Sequence, residues 1–391
     1  MSAASAHSPK VYGWCPGALR PMMSGDGLVV RVRAPLGRLT REQGIGIADL
    51  SRRFGNGLLD LSARANLQMR GIRQESHPEL IAGLRKLGLV DDDAEAEARR
   101  NVLLTPFWRD GDDTHRIATA LSTALTAATD LKLPGKFGFA VDCGPTPVLQ
   151  NVAADIRIER TSDGLTLRAD GAETGLLVTV ETAADAALDL ARWFLTSGGA
   201  PSGRGRMKTL IANGATLPQG HTTGATRPQQ TQPLPGRCPS GTLAALAFGQ
   251  IEADSFAALA EQSPIRLTPW RMLLLEGLAT CAPCDGVIFD AADPRLRVTA
   301  CTGAPGCPQA LGVTRQLALD LAPTLPANQT LHVSGCAKGC AHPGPAPLTL
   351  TATGPDTFDL IRGGTAADRP AHTDLTADAL RRAPDILTQG T

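Results

Sequence analysis

The chain has 391 residues, more than one ordinary domain needs and enough for two or three. Its 38 basic residues balance its 38 acidic ones, so the basic footprint of a nucleic-acid binder is missing, although local arginine clusters can hide in such a balance. With 42% apolar residues it can bury sizeable cores, yet no apolar run is long enough to predict a membrane-spanning helix. The first ten residues are small and polar and lack the apolar core of a secretory signal, so a cytoplasmic location is expected. In that compartment nine cysteines are expected to be metal ligands, catalytic thiols or buried fillers rather than a disulfide framework. Aromatic residues are scarce at 4%, whereas 41 glycines and 29 prolines predict many turns and sites built from loops.

In chain order, the first ordered region is expected near Gly13, with a strand over 28–33. Thr40 can cap a helix reaching about Arg53, and Gln43 stands where a capping box needs it. Strands over 58–63 and 67–72 complete a strand–helix–strand–strand unit. Helices are expected over 79–88 and 114–129, then short strands over 137–143, 156–159, 165–168 and 176–181, and a helix over 184–195. The stretch 197–237, rich in Gly, Thr, Gln and Pro, reads as a linker or as a loop lying along a ligand. A weaker copy of the first unit follows over 243–276, which suggests an internal duplication, since each half-sheet needs a partner to bury its open face. A last region holds a helix near 311–321 and strands near 331–334 and 348–353. The expected division is 13–78, 79–200, a linker or loop at 201–237, 238–285 and 286–391, within an α+β or mixed α/β class.

The most informative motif is Cys301-Thr-Gly-Ala-Pro-Gly-Cys307 followed by Cys336-Ala-Lys-Gly-Cys340. Two close cysteine pairs separated by one helix and one strand can bring four thiolates to one point. Gly303, Gly306, Gly335 and Gly339 let backbone approach the sulfurs and supply amide donors, as an iron–sulfur cubane requires. Zinc also takes four cysteines, but zinc ribbons usually leave two residues inside each pair, and here the gaps are five and three. Cys281-Ala-Pro-Cys284 is weaker: it suits a redox dithiol or half a metal site, and equally a turn with two half-buried thiols. Cys15, Cys143 and Cys238 are isolated and receive no role.

This cysteine spacing resembles that of the sulfite and nitrite reductases, in which a 4Fe-4S cluster sits against sirohaem. Further segments carry the resemblance. Leu61-Ser-Ala-Arg-Ala-Asn-Leu-Gln-Met-Arg-Gly-Ile72 is similar to one bearing a pocket arginine, with Arg64 in that place. Arg100-Asn-Val-Leu-Leu-Thr105 and Leu133-Pro-Gly-Lys-Phe-Gly138 resemble two more, matching Arg100 and Lys136 to pocket residues. The resemblance implies duplicated ferredoxin-like half-domains together with mixed α/β cluster- and sirohaem-type domains. Where those reductases place a second pocket lysine, this chain has Gly138, which implies less positive charge and more room above the macrocycle. That departure, together with the segment Gly13-Trp-Cys-Pro-Gly-Ala-Leu-Arg-Pro-Met-Met-Ser-Gly-Asp-Gly27, resembles the precorrin-3B synthase branch. There a tetrapyrrole is substrate instead of cofactor: precorrin-3A and dioxygen react to give a C20-hydroxylated γ-lactone in aerobic cobalamin biosynthesis.

Such a substrate is fringed with acetate and propionate carboxylates, so a pocket for it needs Arg and Lys. Arg64, Arg100 and Lys136 are the candidates, with Arg20, Arg70, Arg204, Arg206 and Lys208 as looser ones. Dioxygen activation needs one-electron steps, which a 4Fe-4S cluster at Cys301, Cys307, Cys336 and Cys340 supplies, fed by a separate electron donor. The resemblance also suggests a mononuclear iron, but the sequence displays no two-His-one-carboxylate grouping for it; His332 and His342 lie near the cysteine loops. Two other readings stay open: a sirohaem-dependent reductase of sulfite or nitrite, and a non-catalytic electron carrier or zinc-stabilised binding protein.

Overall fold

The computed structural model describes residues 16–224 and 232–388, so the expected start at Gly13 lies outside the described residues. The first unit forms as its sequence dictates. Strand Gly27–Val32 is followed by helix Arg41–Phe54 and strands Leu58–Leu61 and Leu67–Ile72. At the helix start, Thr40 Oγ1 accepts from the Gln43 amide at 3.2 Å and Gln43 Oε1 accepts from the Thr40 amide at 3.0 Å, a complete capping box.

The copy is present too, with strand Gly241–Leu246, helix Ala253–Gln262 and strands Ile265–Leu267 and Met272–Glu276. After strand Gly241–Leu246 the chain breaks at Ala247–Gly249, where Phe248 and Gly249 take left-handed φ values of 56° and 75°. Leu36 and Gly37 do the same in the first unit, at 51° and 68°. Each break lets the next short strand leave its own sheet. Gln250–Glu252 pairs with Leu58–Leu61 of the first sheet, and Arg38–Leu39 pairs with Ile265–Leu267 of the second. This reciprocal exchange joins the halves into one body, because neither sheet is complete without a strand from the other.

Both sheets bury one face in a single shared core. Val30, Val32, Leu59, Leu67 and Met69 of the first sheet meet Leu246, Leu267, Leu273 and Leu275 of the second around the helix residues Ile47, Phe256 and Leu259. The two helices approach closely through Gly44, where a side-chain carbon would fall 2.6 Å from Ala260 Cβ.

Duplication extends to the rest of the chain. One sheet runs from Val102–Leu104 through Phe139–Asp142, Ile156–Thr161, Gly164–Ala169 and Thr174–Val178 to Thr223–Gly224. The other runs from Val298–Ala300 through Leu331–Ser334, Ala346–Ala352 and Thr357–Gly364 to His372–Thr376. In each, three parallel strands precede antiparallel ones, and the registers correspond: Val102 faces Phe139 as Val298 faces Leu331. The stretch read as a linker or loop over 201–237 is different from that expectation. It contains helix Met207–Ala212, whose Met207 is fully buried beside Phe194, and strand Thr223–Gly224 on the sheet edge. Its Gly- and Pro-rich composition hid a helix of only six residues.

Among the described residues no helix is long and apolar enough to cross a membrane. The close helix contact is testable. Gly44→Leu should lower stability by about 1–3 kcal/mol through overpacking against Ala260, read as a lower urea midpoint with an unchanged slope.

Candidate functional site

The four cysteines sit at the carboxyl ends of two adjacent parallel strands, so the sheet itself brings the two pairs together. Cys301 follows strand Val298–Ala300 and Cys336 follows strand Leu331–Ser334 two residues on. Gly335 donates its amide to Cys301 Sγ at 3.0 Å, and a side chain at Gly335 would meet Ala310 Cβ at 2.7 Å. Burial pushes the Cys336 and Cys340 thiols up, and the nearby Cys301 and Cys307 thiols push them further. Cys340 is open to solvent on one side; its other side is desolvated enough to disfavour the thiolate.

Among the described residues no three ligating side chains stand close enough to hold a single ion. One tetrahedral zinc would need its sulfurs ~3.8 Å apart, as Zn–S bonds of about 2.3 Å require. An iron–sulfur cubane spreads its four thiolates wider. Cysteine loops at the ends of adjacent strands, with the Gly335 amide already aimed at Cys301 Sγ, fit such a cluster, and its iron would offset the thiolate charge that burial disfavours at Cys336 and Cys340.

The cysteine loop is held from the first half-sheet. The tip of the hairpin before strand Gly27–Val32 docks on it: Ser24 Oγ donates to the Gly306 carbonyl at 2.7 Å, and the Gly25 amide donates to the same oxygen at 3.3 Å. A side-chain carbon at Gly25 would fall 2.1 Å from the Pro305 carbonyl oxygen, so only glycine fits. Arg70, a looser pocket candidate from the sequence, points instead at this contact. Its guanidinium donates to Gly306 O at 2.8 Å, forks onto Asp26 at 2.8 and 2.9 Å, and reaches Asp60 at 3.3 Å. Asp60 also accepts from Arg315, beyond the cysteine loop, and from Gln250 of the exchanged strand, both at 3.1 Å. Burial works against the Arg70 charge, and its bonds to Asp26 and Asp60 more than restore it.

This network is part of a larger feature that the sequence reading passed over. The face of the first sheet turned away from its helices carries Arg31, Arg33, Asp60 and Arg70, all buried. In the second sheet the corresponding face is largely apolar, with Leu243, Ala245, Met272, Leu274 and Ile288, and also carries the buried Arg266, which pairs with Glu276. Arg33 pairs with the buried Glu97 at 2.7 Å, and Glu97 also accepts the amides of Ala18 and Leu19 at 2.6 and 3.1 Å. The signal was available: Arg31 and Arg33 alternate with Val30 and Val32, which is strand periodicity with charge on the face opposite the shared core.

The motif-matched basic residues are placed unequally. Arg64 lies half-buried in the hairpin turn between strands Leu58–Leu61 and Leu67–Ile72. Arg100 forks onto Asp91 at 2.8 and 2.9 Å, and the cavity beside it, lined by Arg33, Asn66 and Trp108, has a volume of about 20 Å³, room for one water. Lys136 is exposed. At Gly138 the expected extra room is filled: a side-chain carbon there would meet Asn101 Nδ2 at 2.7 Å, and Asn101 is fixed by the Phe137 carbonyl at 2.9 Å. A neutral amide stands where another cation would begin. Of the looser candidates, Arg206 is committed to Asp155 at 2.9 Å, whereas Arg20, Arg204 and Lys208 are exposed.

His332 is fully buried under the second cysteine loop, neither ring nitrogen is bonded among the described residues, and burial, then His342 and Arg271, push it down to about 4. Cys143, also buried, is pushed up to about 12 by burial and then by Asp142, and is chemically quiet. Cys281 and Cys284 are half-buried free thiols raised chiefly by burial.

The hairpin clamp makes a prediction. Arg70→Met leaves Asp26 short of its main partner and should cost about 3 kcal/mol, measured by urea unfolding. Gly25→Ala should disturb the Pro305 contact and lower the iron and sulfide retained per chain after anaerobic purification.

Comparison with known proteins places these features. Residues 20–87 match the family model described as the nitrite/sulfite reductase ferredoxin-like half domain. The structure of the Mycobacterium tuberculosis NirA protein superposes with a TM-score of 0.63 at 19% identity, covering 92% of this chain and 79% of that one. A ferredoxin–nitrite reductase of Synechococcus elongatus is 31% identical, but over only 32% of this chain and 26% of its own. A precorrin-3B synthase of Sinorhizobium sp is 31% identical over 93% of this chain and 85% of its own length. With an exchanged ferredoxin-like pair, one cysteine-bearing sheet and near-complete coverage of that relative, the chain belongs to the precorrin-3B synthase family.

Proposed function

We propose that this chain is a precorrin-3B synthase, a monooxygenase that converts precorrin-3A to precorrin-3B. The observation that carries the reading is the 93% coverage by a synthase relative, on a fold whose cysteine loops meet a buried cationic sheet face. In the overall reaction one atom of dioxygen enters at C20 and a ring-A acetate closes the γ-lactone. The other atom leaves as water, which requires two electrons and two protons. A 4Fe-4S cluster on Cys301, Cys307, Cys336 and Cys340 would supply single electrons, received from a separate donor.

The protein's own part is to bind and orient a flexible polyanion. Arg31 and Arg33 lie on the buried face of the first sheet, Arg33 paired with Glu97, while Arg64 is half-buried in the turn between two of its strands and Lys136 is exposed. Arg64 and Lys136 are the cations that reach solvent, and in this reading they hold peripheral carboxylates in one register, so the acetate that must close the lactone is already near its target carbon. Asp91 holds the Arg100 fork, which makes that residue a fixed wall of the site. Asn101 above Gly138 gives a neutral lining where anion reduction would call for charge, which favours oxygenation of a large substrate over reduction of sulfite or nitrite. Among the described residues no side-chain grouping suits a mononuclear iron.

The test is direct. Protein purified without air should contain iron and sulfide, and with precorrin-3A, a reductant and isotopically heavy dioxygen should yield a lactone one heavy oxygen richer by mass spectrometry. Absence of product from cluster-replete enzyme overturns the reading. Cys336→Ser should lose cluster and activity together; an unchanged iron and sulfide count would reject the ligand assignment. Lys136→Met should raise KM for precorrin-3A severalfold and leave the iron content unchanged.

A further inference from the structure

The duplication makes the turn Thr268 to Met272 the counterpart of the turn Ser62 to Asn66. In each turn a hydroxyl accepts from the backbone two residues on: Ser62 Oγ from the Arg64 amide at 3.4 Å, and Thr268 Oγ1 from the Trp270 amide at 3.3 Å. In each the following residue is left-handed, Ala65 at φ 51° and Arg271 at φ 59°. Trp270 therefore occupies the position of Arg64, and the cation has moved one residue along, to Arg271.

Two adjoining hollows of about 390 and 560 Å³ share Gln232, Pro269 and Trp270 on their walls. Each is within the size range of small-molecule sites. The first is lined by Leu234, Phe248 and Met272, with Arg271 on its wall. The Arg271 guanidinium donates to the Ala341 carbonyl at 3.1 Å, between Cys340 and His342, so the hollow borders the cysteine loop. Among the described residues no carboxylate lies within ion-pair distance of Arg271. Arg315 stands near enough to oppose its charge and Asp60 near enough to ease it. A largely buried cation without a counter-ion, beside an apolar wall and a tryptophan, is a receptor for an anion attached to a flat apolar body. A left-handed conformation is uncommon for a long side chain, and Arg271 adopts it in the turn that places its guanidinium there.

We infer that Trp270 and Arg271 are substrate-positioning residues: Arg271 takes a peripheral carboxylate of the tetrapyrrole and Trp270 lies against its ring edge. This inference rests on the proposed synthase function, whose substrate combines a broad apolar macrocycle with carboxylates at its rim. Arg271 then joins the substrate to the cysteine loop through one side chain, since the same guanidinium holds Ala341 O.

The experiment is an anaerobic titration of cluster-loaded full-length protein with precorrin-3A, followed by tryptophan fluorescence and by ligand absorbance. Wild type should bind with quenching. Arg271→Asn, which tolerates the left-handed backbone, should bind about tenfold more weakly, and Arg271→Lys should recover part of the loss. Trp270→Phe should bind severalfold more weakly and lose most of the quenching. Iron, sulfide and Tm should match wild type in all three. Wild-type affinity in Arg271→Asn overturns the inference while leaving the synthase reading intact. Reduced cluster content with unchanged affinity per loaded chain also overturns it, by showing that Arg271 only holds Ala341. No binding of precorrin-3A by wild type would overturn the synthase reading and this inference with it.

Discussion

The contact on which the rest depends is the buried ion network that ties the first half-sheet to the cysteine loop. Asp26, Arg70, Asp60 and Arg315 alternate in charge across that boundary, and the Gly306 carbonyl is drawn into it. Removing one partner of this buried guanidinium would leave an uncompensated charge, so the network holds the hairpin tip, the sheet and the loop after Cys301 in one relative position. Gln250 binds the same Asp60 from the exchanged strand, so the second half is also drawn in. The cysteine loop is thereby set by tertiary structure as much as by its own glycines.

Duplication explains how one chain affords both a rigid frame and an asymmetric site. The two halves exchange strands and share a core, which demands that their inward faces match. Nothing demands that their outward faces match, and they do not: one is lined with Arg31, Arg33, Asp60 and Arg70, the other mostly with apolar residues such as Leu243, Met272 and Leu274 beside the Arg266–Glu276 pair. The outer sheets diverge in the same way. Cys301 follows its strand where Thr105 follows the corresponding one, each amide bonded to the neighbouring strand, Cys301 to Val333 O and Thr105 to Val141 O. Backbone geometry is retained in both copies, and the chemistry is placed in one.

The counterpart turn around Trp270 fits the same pattern. Its backbone repeats that of the Arg64 turn, down to the left-handed residue, yet the side chains have been reassigned. Oxygenation of a broad polyanionic macrocycle calls for contacts spread round a rim, and a duplicated scaffold offers two equivalent turns from which to make them. Reduction of a small anion calls for cations gathered at one point, and Asn101 beside Gly138 stands against that arrangement.

What the sequence determined by itself was local and periodic. Thr40 with Gln43 announced the helix start, and apolar alternation announced the paired strands. Those features are legible because each depends on residues a few positions apart. The tertiary structure alone decided that Gln250–Glu252 and Arg38–Leu39 change sheets, that 201–224 folds into the domain beside it, and that Arg70 serves the cysteine loop. It also decided that Arg100 is occupied by Asp91 and that Asn101 fills the space at Gly138. Each of these is a contact whose partner no periodicity specifies, and a buried charge acquires its role only when folding brings that partner to it.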